Sequence, residues 1–573
     1  NLKHLVGFHR RENKSKYWEK FDRLDKGPDE LLDDPECIGG AIFVKKTKIK
    51  DTDNIVYLYK FDEQNFKLKE GDQAYDVTSD LSFGKISKID EIKDDENYIE
   101  LTITGKRITK VGEPPKLFDF GPGPVVNTAT IAGALNKFIL NYTEGDKLAF
   151  KCGLDILKKD YPDLKNIKKG DPIIDDKNDL VAESIKAVKQ LNSSYLLMQG
   201  PPGSGKTYTS AKIILSLLKD NKRVGITSNS HKAINNLLKQ IEKFALEENF
   251  TFKGMKKSSK DEDKLKGEII EDVSGRMKEF PSEYLLHAGT AWLFSDPRWT
   301  SKMDYLFVDE AGQVSLANTL AISTSTKNII LIGDQMQLSQ PIQGIHSGNS
   351  GKSALDFLLG DYDTIPLSRG IFLGVTRRLN EKICKYISSS FYESRLKSHP
   401  ITKERSVSLE LKEIKNEGIF YLPVDHQDCT QKSDEEAKII KDYCSKILGK
   451  NYTEDKQKKK IAIDDIMMVA PFNMQVNNLK KILNKKEARI GTIDKFQGQE
   501  SKVVFISMTS SDPENLPRHK EFFFSRNRLN VAISRAQCVA VILFNPKLLL
   551  ADCQKINEIR LVNNFCKLLK YKI

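Results

Sequence analysis

The stretch LLMQGPPGSGKTYTSAK, residues 196–212, runs from apolar residues through a glycine-rich turn into a lysine and a threonine. Tyr195–Met198 reads as a buried strand, apolar without alternation. Gly200, Gly203 and Gly205 let backbone amides turn inward around a phosphate, where a Cβ would intrude; Pro201 and Ser204 complete the turn. Lys206 offers a point charge to β- and γ-phosphate oxygens, and the Thr207 hydroxyl is a ligand for Mg²⁺. Ala211, Ile214, Leu215 and Leu218 then fall at i, i+3, i+4 and i+7, the stripe of a helix whose N-terminal end faces the phosphates. The motif therefore stands in the strand–loop–helix setting that a phosphate cradle needs.

Such a cradle requires a carboxylate at the end of a neighbouring strand. DYLFVDEAGQ (304–313) supplies one. Asp309 ends the apolar run and is the expected Mg²⁺ ligand, through water. Glu310, one residue on, is the candidate to polarise an attacking water. The two motifs together predict a Mg²⁺-nucleoside triphosphate site, with ATP as the nucleotide. No base-reading NKxD and no LSGGQ occurs, which argues against a G-protein and a transporter ATPase.

Composition narrows the class. The chain has 573 residues, of which 39% are hydrophobic, enough for several ordinary globular cores. No run reaches the roughly 18 apolar residues of a membrane span, and no secretory leader opens the sequence, which begins at Asn1. The eight cysteines form no CxxC pair, so no structural zinc is expected and a reducing cytoplasm is. Lys and Arg number 91 against 79 Asp and Glu, a net charge of +12, which suits a polyanionic partner.

The pattern along the chain divides it into five parts. Residues 1–38 are charged and read as helix. Residues 39–111 hold short alternating runs between charged turns, the signature of a small β-barrel. Residues 112–175, opening on GEPPKLFDFGPGP, read as linker and helices. Residues 176–350 and 351–573 each read as βα repeats with buried parallel strands, giving two α/β lobes. Within them, 250–282 reads as a solvated, charged excursion and 449–460 as a loop.

The second lobe carries RIGTIDKFQGQESKVVFISM (489–508) and SRNRLNVAISRAQ (525–537). With the cradle, DEAGQ and GDQMQLSQP (333–341), these stretches resemble the superfamily 1 helicases. Within them the likeness is to the 1B branch of nonsense-mediated-decay and replication nuclease-helicases, from about Leu180 to Leu548. The wording is closer still to the helicase half of bacterial fusions with a RecB-like nuclease. No nuclease core is visible, which puts any nuclease half outside this chain. The resemblance implies two RecA-like P-loop lobes, with the barrel as a 1B-like accessory domain on a helical stalk. It implies an ATP-dependent motor acting 5′→3′ on single-stranded nucleic acid, DNA before RNA. The same motifs also serve an RNA helicase, or an ATPase clamp that remodels protein–nucleic acid complexes without unwinding.

The resemblance also assigns residues. Gln337 matches the glutamine that senses the γ-phosphate, and Gln313 the residue coupling that site to the other lobe. Arg378, in GVTRRLNEKICKYISSSFY (374–392), and Arg535 match two arginines that reach across the cleft to the γ-phosphate. Glu500 matches a position near the ribose. Arg377 stands where the family has an adenine-stacking tyrosine, and Ser184 where it has an adenine-reading glutamine, so selectivity for adenine is left open. Candidate nucleic-acid grips are Thr227, Ser228, Asn229 and Thr290 in lobe one, with Pro471, Phe472, Gln475 and Thr492 in lobe two. Phe472, at a strand end, reads equally as a core residue.

Overall fold

The computed structural model describes residues 2–569 except 63, 65, 94, 95, 146–148, 176, 177, 455, 486, 515 and 517–519. The expected lobe boundary at 176 and the two chain ends lie outside the described residues. The chain divides into a small unit, Lys3–Ala129 with Ile342–Ser347, and a large one, mainly Thr130–Pro341 and Gly348–Ile573.

The small unit carries the long helix Phe8–Asp25 near its start and closes into a six-stranded barrel. Around the barrel the strands run Ile38–Lys48, Asn54–Phe61, Glu96–Thr104, Ser82–Lys93, Gln73–Asp76 and Leu117–Gly121. Alternation sets the inward face: Tyr57, Tyr59 and Phe61 from one strand and Ile99, Leu101 and Ile103 from its neighbour are buried. The sixth strand, Leu117–Gly121, lies within the stretch expected to be a linker, so that expectation is corrected. Prolines and glycines on both sides mask a run too short to show its period, yet Ile38 pairs with Phe120 and Tyr75 with Gly121, and this closes the barrel. Phe118 and Phe120 pack against Tyr59 at 5.6 Å each and are fully buried. Burying each phenyl contributes about 1.5–3 kcal/mol, far more than a solvated linker would gain. The Ile342–Ser347 loop belongs to this unit because the Glu12 carboxylate accepts from Gly344 N at 2.9 Å while the Phe8 ring stacks on His346 at 4.6 Å.

The large unit is α/β with two parallel sheets. The first has eight strands in the order Ile270–Val273, Gly254–Lys257, Leu286–Ala288, Val224–Thr227, Met303–Val308, Thr326–Gly333, Tyr195–Gln199 and Gly370–Phe372. The second has five: Gly418–Pro423, Ala536–Phe544, Ser501–Ser507, Ile466–Ala470 and Arg489–Thr492. Helices cover both faces, so central strands such as Ala536–Phe544 are buried along their whole length and show no alternation.

Three expectations for this unit change. The 250–282 stretch is not wholly a solvated excursion, since Gly254–Lys257 and Ile270–Val273 extend the first sheet. Charged flanks hid them: Lys256 is itself buried, its ammonium donating to the Asp263 carbonyl. The first sheet also takes Gly370–Phe372, beyond the expected end of lobe one at 350, because this edge strand pairs with the strand entering the glycine-rich turn. Finally, 449–460 is not a plain loop: Asn451–Glu454 and Gln457–Lys460 form a hairpin that pairs with Ser406–Ser408. Among the described residues no helix is long and apolar enough to cross a membrane.

Candidate nucleotide-binding site

The strand Tyr195–Gln199 lies between Thr326–Gly333 and Gly370–Phe372, and the turn leaves it into the helix Lys206–Lys219. Gly200 N donates to Gly333 O at 2.9 Å, which ties the start of the turn to the neighbouring strand. A Cβ built on Gly200 would lie 2.1 Å from Lys206 Cγ. Gly203 and Gly205 have φ of +71° and +83°, the left-handed region that disfavours side chains. Lys206 Nζ donates to Gly200 O at 2.6 Å, so the lysine bends over the turn. The Ser204 Oγ is buried without a hydrogen-bond partner. Buried hydroxyls of this kind call for an outside partner. A cradle that a Cβ would fill, an orphaned hydroxyl, a bent-over lysine and a helix N-terminus together fit a polyphosphate. Pro201 is buried in the turn and Thr207 is exposed at the first turn of the helix.

Asp309 follows the strand Met303–Val308, its amide donating to Thr227 O at 2.9 Å. Burial first, and the adjacent Glu310 carboxylate second, push the Asp309 carboxyl up to about 7, against the opposing pull of Lys206. Such a carboxyl is short of a cation, and Thr207 and Asp309 are the oxygen donors that would hold Mg²⁺. Glu310 has φ +53°, a strained left-handed geometry that bends the chain just after the strand. Gln313 N donates back to Glu310 O at 2.8 Å, and the side-chain amide of Asn229 donates to Gln313 O. Gln337 is buried on the next strand's exit loop, with Nε2 donating to Asp334 Oδ2 at 2.8 Å.

The second set of residues reaches the cradle from C-terminal sequence. Thr376 Oγ1 donates to Pro202 O at 2.8 Å and Arg377 N donates to Gly203 O at 2.8 Å. A Cβ on Gly203 would meet the Arg378 Cβ at 2.3 Å, so Arg378 lies directly against the turn. Its Nε donates to Glu500 Oε2, and Glu500 Oε1 accepts from Gln537 Nε2 at 2.7 Å. Burial would raise the Glu500 carboxyl, but Arg378, the Gln537 hydrogen bond and Arg405 together hold the group below its ordinary range.

Arg535 is 1% exposed. Its Nε donates to Val531 O and its Nη1 to Gln499 O, both at 3.0 Å, while Nη2 has no partner. Burial, and then the nearby Arg378 charge, lower this guanidinium to about 9; Glu310, Tyr392 and Glu500 oppose them. Arg535 and Glu310 thus feel each other across the seam between lobes. With Arg378 already paired to Glu500, it is the Arg535 Nη2 N–H that is left without an acceptor. Arg377 is exposed, its carbonyl accepting from Arg405 Nη1 at 2.8 Å. Ser184 is buried, with Oγ on Leu180 O at 2.6 Å, so it is not positioned to read a base.

The expected nucleic-acid grips separate into two groups. Thr227, Ser228, Asn229, Thr290, Pro471 and Thr492 all follow or end parallel strands at one edge of their sheets. Among them Asn229 is exposed, Thr290, Pro471 and Thr492 are half-buried, and the buried Ser228 Oγ has no partner. Phe472 and Gln475 are corrections. Phe472 is 5% exposed and stacks on Phe522. Gln475 is fully buried: Oε1 accepts from Ser433 N at 2.9 Å, and Nε2 donates to Ser433 O and Ser507 Oγ at 3.0 Å each. Its hydrogen-bonding capacity is spent inside lobe two. Met474, which the sequence reading passed over, is the exposed apolar residue of that turn at 44%.

Also unassigned from sequence were Asp334, Tyr392 and Asn530, buried polar residues beside Gln337, and the half-buried Asn527. The one available signal was the pair of asparagines at i and i+3 in RNRLNVAI, polar residues on a helix that otherwise packs.

Residues 184–342 match one family described as an AAA domain, and residues 362–547 match a second family of the same description. Over 422 residues the chain is 25% identical to the DNA polymerase alpha-associated DNA helicase A of Schizosaccharomyces pombe, covering 61% of this chain and 60% of that protein. It is 25% identical over 569 residues to the DNA replication ATP-dependent helicase/nuclease DNA2 of Xenopus laevis, covering 90% of this chain and 52% of the relative. It is 26% identical over 491 residues to the ATP-dependent helicase NAM7 of Saccharomyces cerevisiae, covering 73% and 49%. A solved structure of the arterivirus nonstructural protein 10 helicase aligns over 83% of this chain and 78% of that one, at 14% identity and a TM-score of 0.37. The chain thus spans about half to three-fifths of the length of these three curated relatives.

Proposed function

Because the chain belongs to the superfamily 1 helicases, we propose that it is an ATP-driven motor that moves along single-stranded DNA, 5′→3′ in the manner of the 1B branch. The observation that carries this reading is the buried Arg535 guanidinium, with an unpaired N–H beside Arg378 and facing the field of Glu310. The cradle comes from one lobe and the cationic prongs from the other, so binding energy at the γ-phosphate favours a closed seam.

In this reading Gly200–Gly205 wrap the phosphates with backbone amides, and Lys206 leaves the Gly200 carbonyl to meet the β- and γ-oxygens. Thr207 and Asp309 hold Mg²⁺, which neutralises phosphate charge when bound. Glu310 accepts the proton of the attacking water, and Gln337 orients on the γ-phosphate. Arg378 and Arg535 stabilise the charge that spreads over the phosphoryl oxygens. Asn229, hydrogen-bonded to Gln313 just after Glu310, links a nucleic-acid grip to the hydrolysis loop. Closure and opening of the seam then move the grips of lobe one relative to those of lobe two.

DNA is favoured because two of the relatives carry DNA in their names, and one of those is a helicase/nuclease, which supports a nuclease half outside these residues. The test measures phosphate release with and without single-stranded DNA or RNA. DNA should stimulate turnover at least about tenfold, and Lys206→Ala should abolish it. Turnover indifferent to either polymer, or unchanged in Lys206→Ala, would end the proposal. A strand-displacement assay on 5′- and 3′-tailed duplexes reads polarity and distinguishes a motor from a clamp.

A further inference from the structure

The loop that carries Gln337 is held by side chains of the second lobe. Asp334 Oδ2 accepts from Gln337 Nε2 at 2.8 Å and from Tyr392 Oη at 2.6 Å, while Oδ1 accepts from Met336 N at 3.1 Å. Asn530 Nδ2 donates to Tyr392 Oη at 2.9 Å and to Met336 O at 2.7 Å. Asn527 Nδ2 donates to Gln335 O at 2.9 Å and to Gln337 O at 2.5 Å. Asp334, Gln337, Tyr392 and Asn530 are all buried. Burial first, then the Asp334 charge, keep the phenol well above its ordinary range, so Tyr392 stays a donor. Asp334 therefore spends one oxygen on two donors, one from each lobe.

These donors travel with Arg535. Asn527 and Asn530 lie on the helix Arg526–Ile533, and Arg535 begins two residues past its end. Tyr392 caps the helix Glu381–Phe391, which packs on that helix and on the strands Gly418–Pro423 and Ala536–Phe544. The helix is clamped further by Arg526, paired with Asp363 at 2.6 and 2.9 Å and donating to Ser390 O at 2.6 Å. A shift of lobe two that moves Arg535 must carry Tyr392 and Asn530 with it, because they share one packed body. In a buried network each bond lost strands its partner, so the arrangement has few alternatives.

We infer that Tyr392 and Asn530 are positioning residues for hydrolysis: through Asp334 they fix the side-chain amide of Gln337, so that the γ-phosphate sensor is aligned only when lobe two, and with it Arg535, is in place. The inference rests on the nucleotide-hydrolysing reading above. Neither residue is expected to touch nucleotide.

A double-mutant cycle on the full chain tests it. Tyr392→Phe removes one oxygen and keeps the packing. It should lower kcat by about tenfold or more while KM for ATP and the affinity for a fluorescent ATP analogue stay within about threefold. The double variant Tyr392→Phe/Gln337→Ala should turn over no more slowly than Gln337→Ala alone, because both changes remove one alignment. Asn530→Ser provides a second arm of the same cycle should the Tyr392 variant fail to fold by circular dichroism. Losses that multiply in the double variant, or a Tyr392→Phe kcat within about twofold of the parent, would overturn the inference while leaving the helicase reading intact. A Gln337→Ala variant with parental turnover would overturn the role of Gln337 itself and the inference with it.

Discussion

Replacing Arg535 by methionine separates two descriptions of a buried arginine. In an ordinary buried ion pair, removing one partner strands the other charge and costs about 3–5 kcal/mol. Arg535 has no carboxylate hydrogen-bonded to it; its partners are the carbonyls of Val531 and Gln499, and Nη2 has none. Lowering a guanidinium from 12.5 to about 9 means that folding disfavours its charged form by about 5 kcal/mol at most. The sign follows: the unfolded chain binds this proton more tightly, so at neutral pH the charge opposes folding and methionine relieves it. Against that relief stand two stranded carbonyls at about 1–3 kcal/mol each. The terms nearly cancel, and the thermal midpoint of Arg535→Met without nucleotide should stay within about 8 °C of the parent. Turnover should fall about 10³-fold or more, equivalent to about 4 kcal/mol of transition-state stabilisation. Differential scanning fluorimetry and a phosphate-release assay at pH 8 measure both. A variant that loses much more than 8 °C, or one that keeps more than about a tenth of parental turnover, would refute the view that Arg535 is a charge held in reserve for phosphate.

Glu310→Gln should bind ATP with parental affinity yet lose about 10²–10⁴ in turnover, read by filter binding beside single-turnover hydrolysis; parental turnover would exclude Glu310 as the base. Gly203→Ala places a methyl 2.3 Å from Arg378 Cβ at a φ of +71°, so nucleotide binding should weaken markedly; unaltered binding would mean that the turn is more pliant than its geometry. Gln475→Ala strands the Ser433 amide and should cost about 1–3 kcal/mol of stability, seen in chemical denaturation, while single-stranded DNA affinity by fluorescence anisotropy stays within twofold; a selective loss of DNA binding would restore the surface role expected from the sequence.

The cradle was legible because its parts are local: the turn's glycines, the lysine and the helix stripe lie within about 25 residues and each has a fixed stereochemical reason. Asp309 and Glu310 were legible for the same cause, an apolar strand ending in carboxylates. What escaped depends on distant partners. Phe472 and Gln475 sit where the strand Ile466–Ala470 gives way to the helix Asn473–Leu483, and residues of their type there are as suited to a ligand as to the interior; only Phe522, Ser433 and Ser507 decide for the interior. Tyr392 and Asn530 acquire meaning from Asp334, which is 58 residues from Tyr392, and from each other across 138 residues. The strands Gly254–Lys257 and Leu117–Gly121 are short, and charged or proline-rich flanks outweigh their few apolar residues. Arg378 was found only through its resemblance to a family motif, since nothing in its neighbours announces that it will lie on Gly203.

The central claim is that one seam holds the phosphates, with the cradle from one lobe and the guanidiniums from the other. A crystal structure of the protein with ADP, aluminium fluoride and magnesium tests it most directly. The expected result has Arg535 Nη2 and the Arg378 guanidinium donating to the fluoroaluminate, with Gly200–Thr207 wrapped around the diphosphate. Arg535 still bonded only to Val531 and Gln499, with Arg378 still on Glu500 and neither touching the fluoroaluminate, would contradict the account.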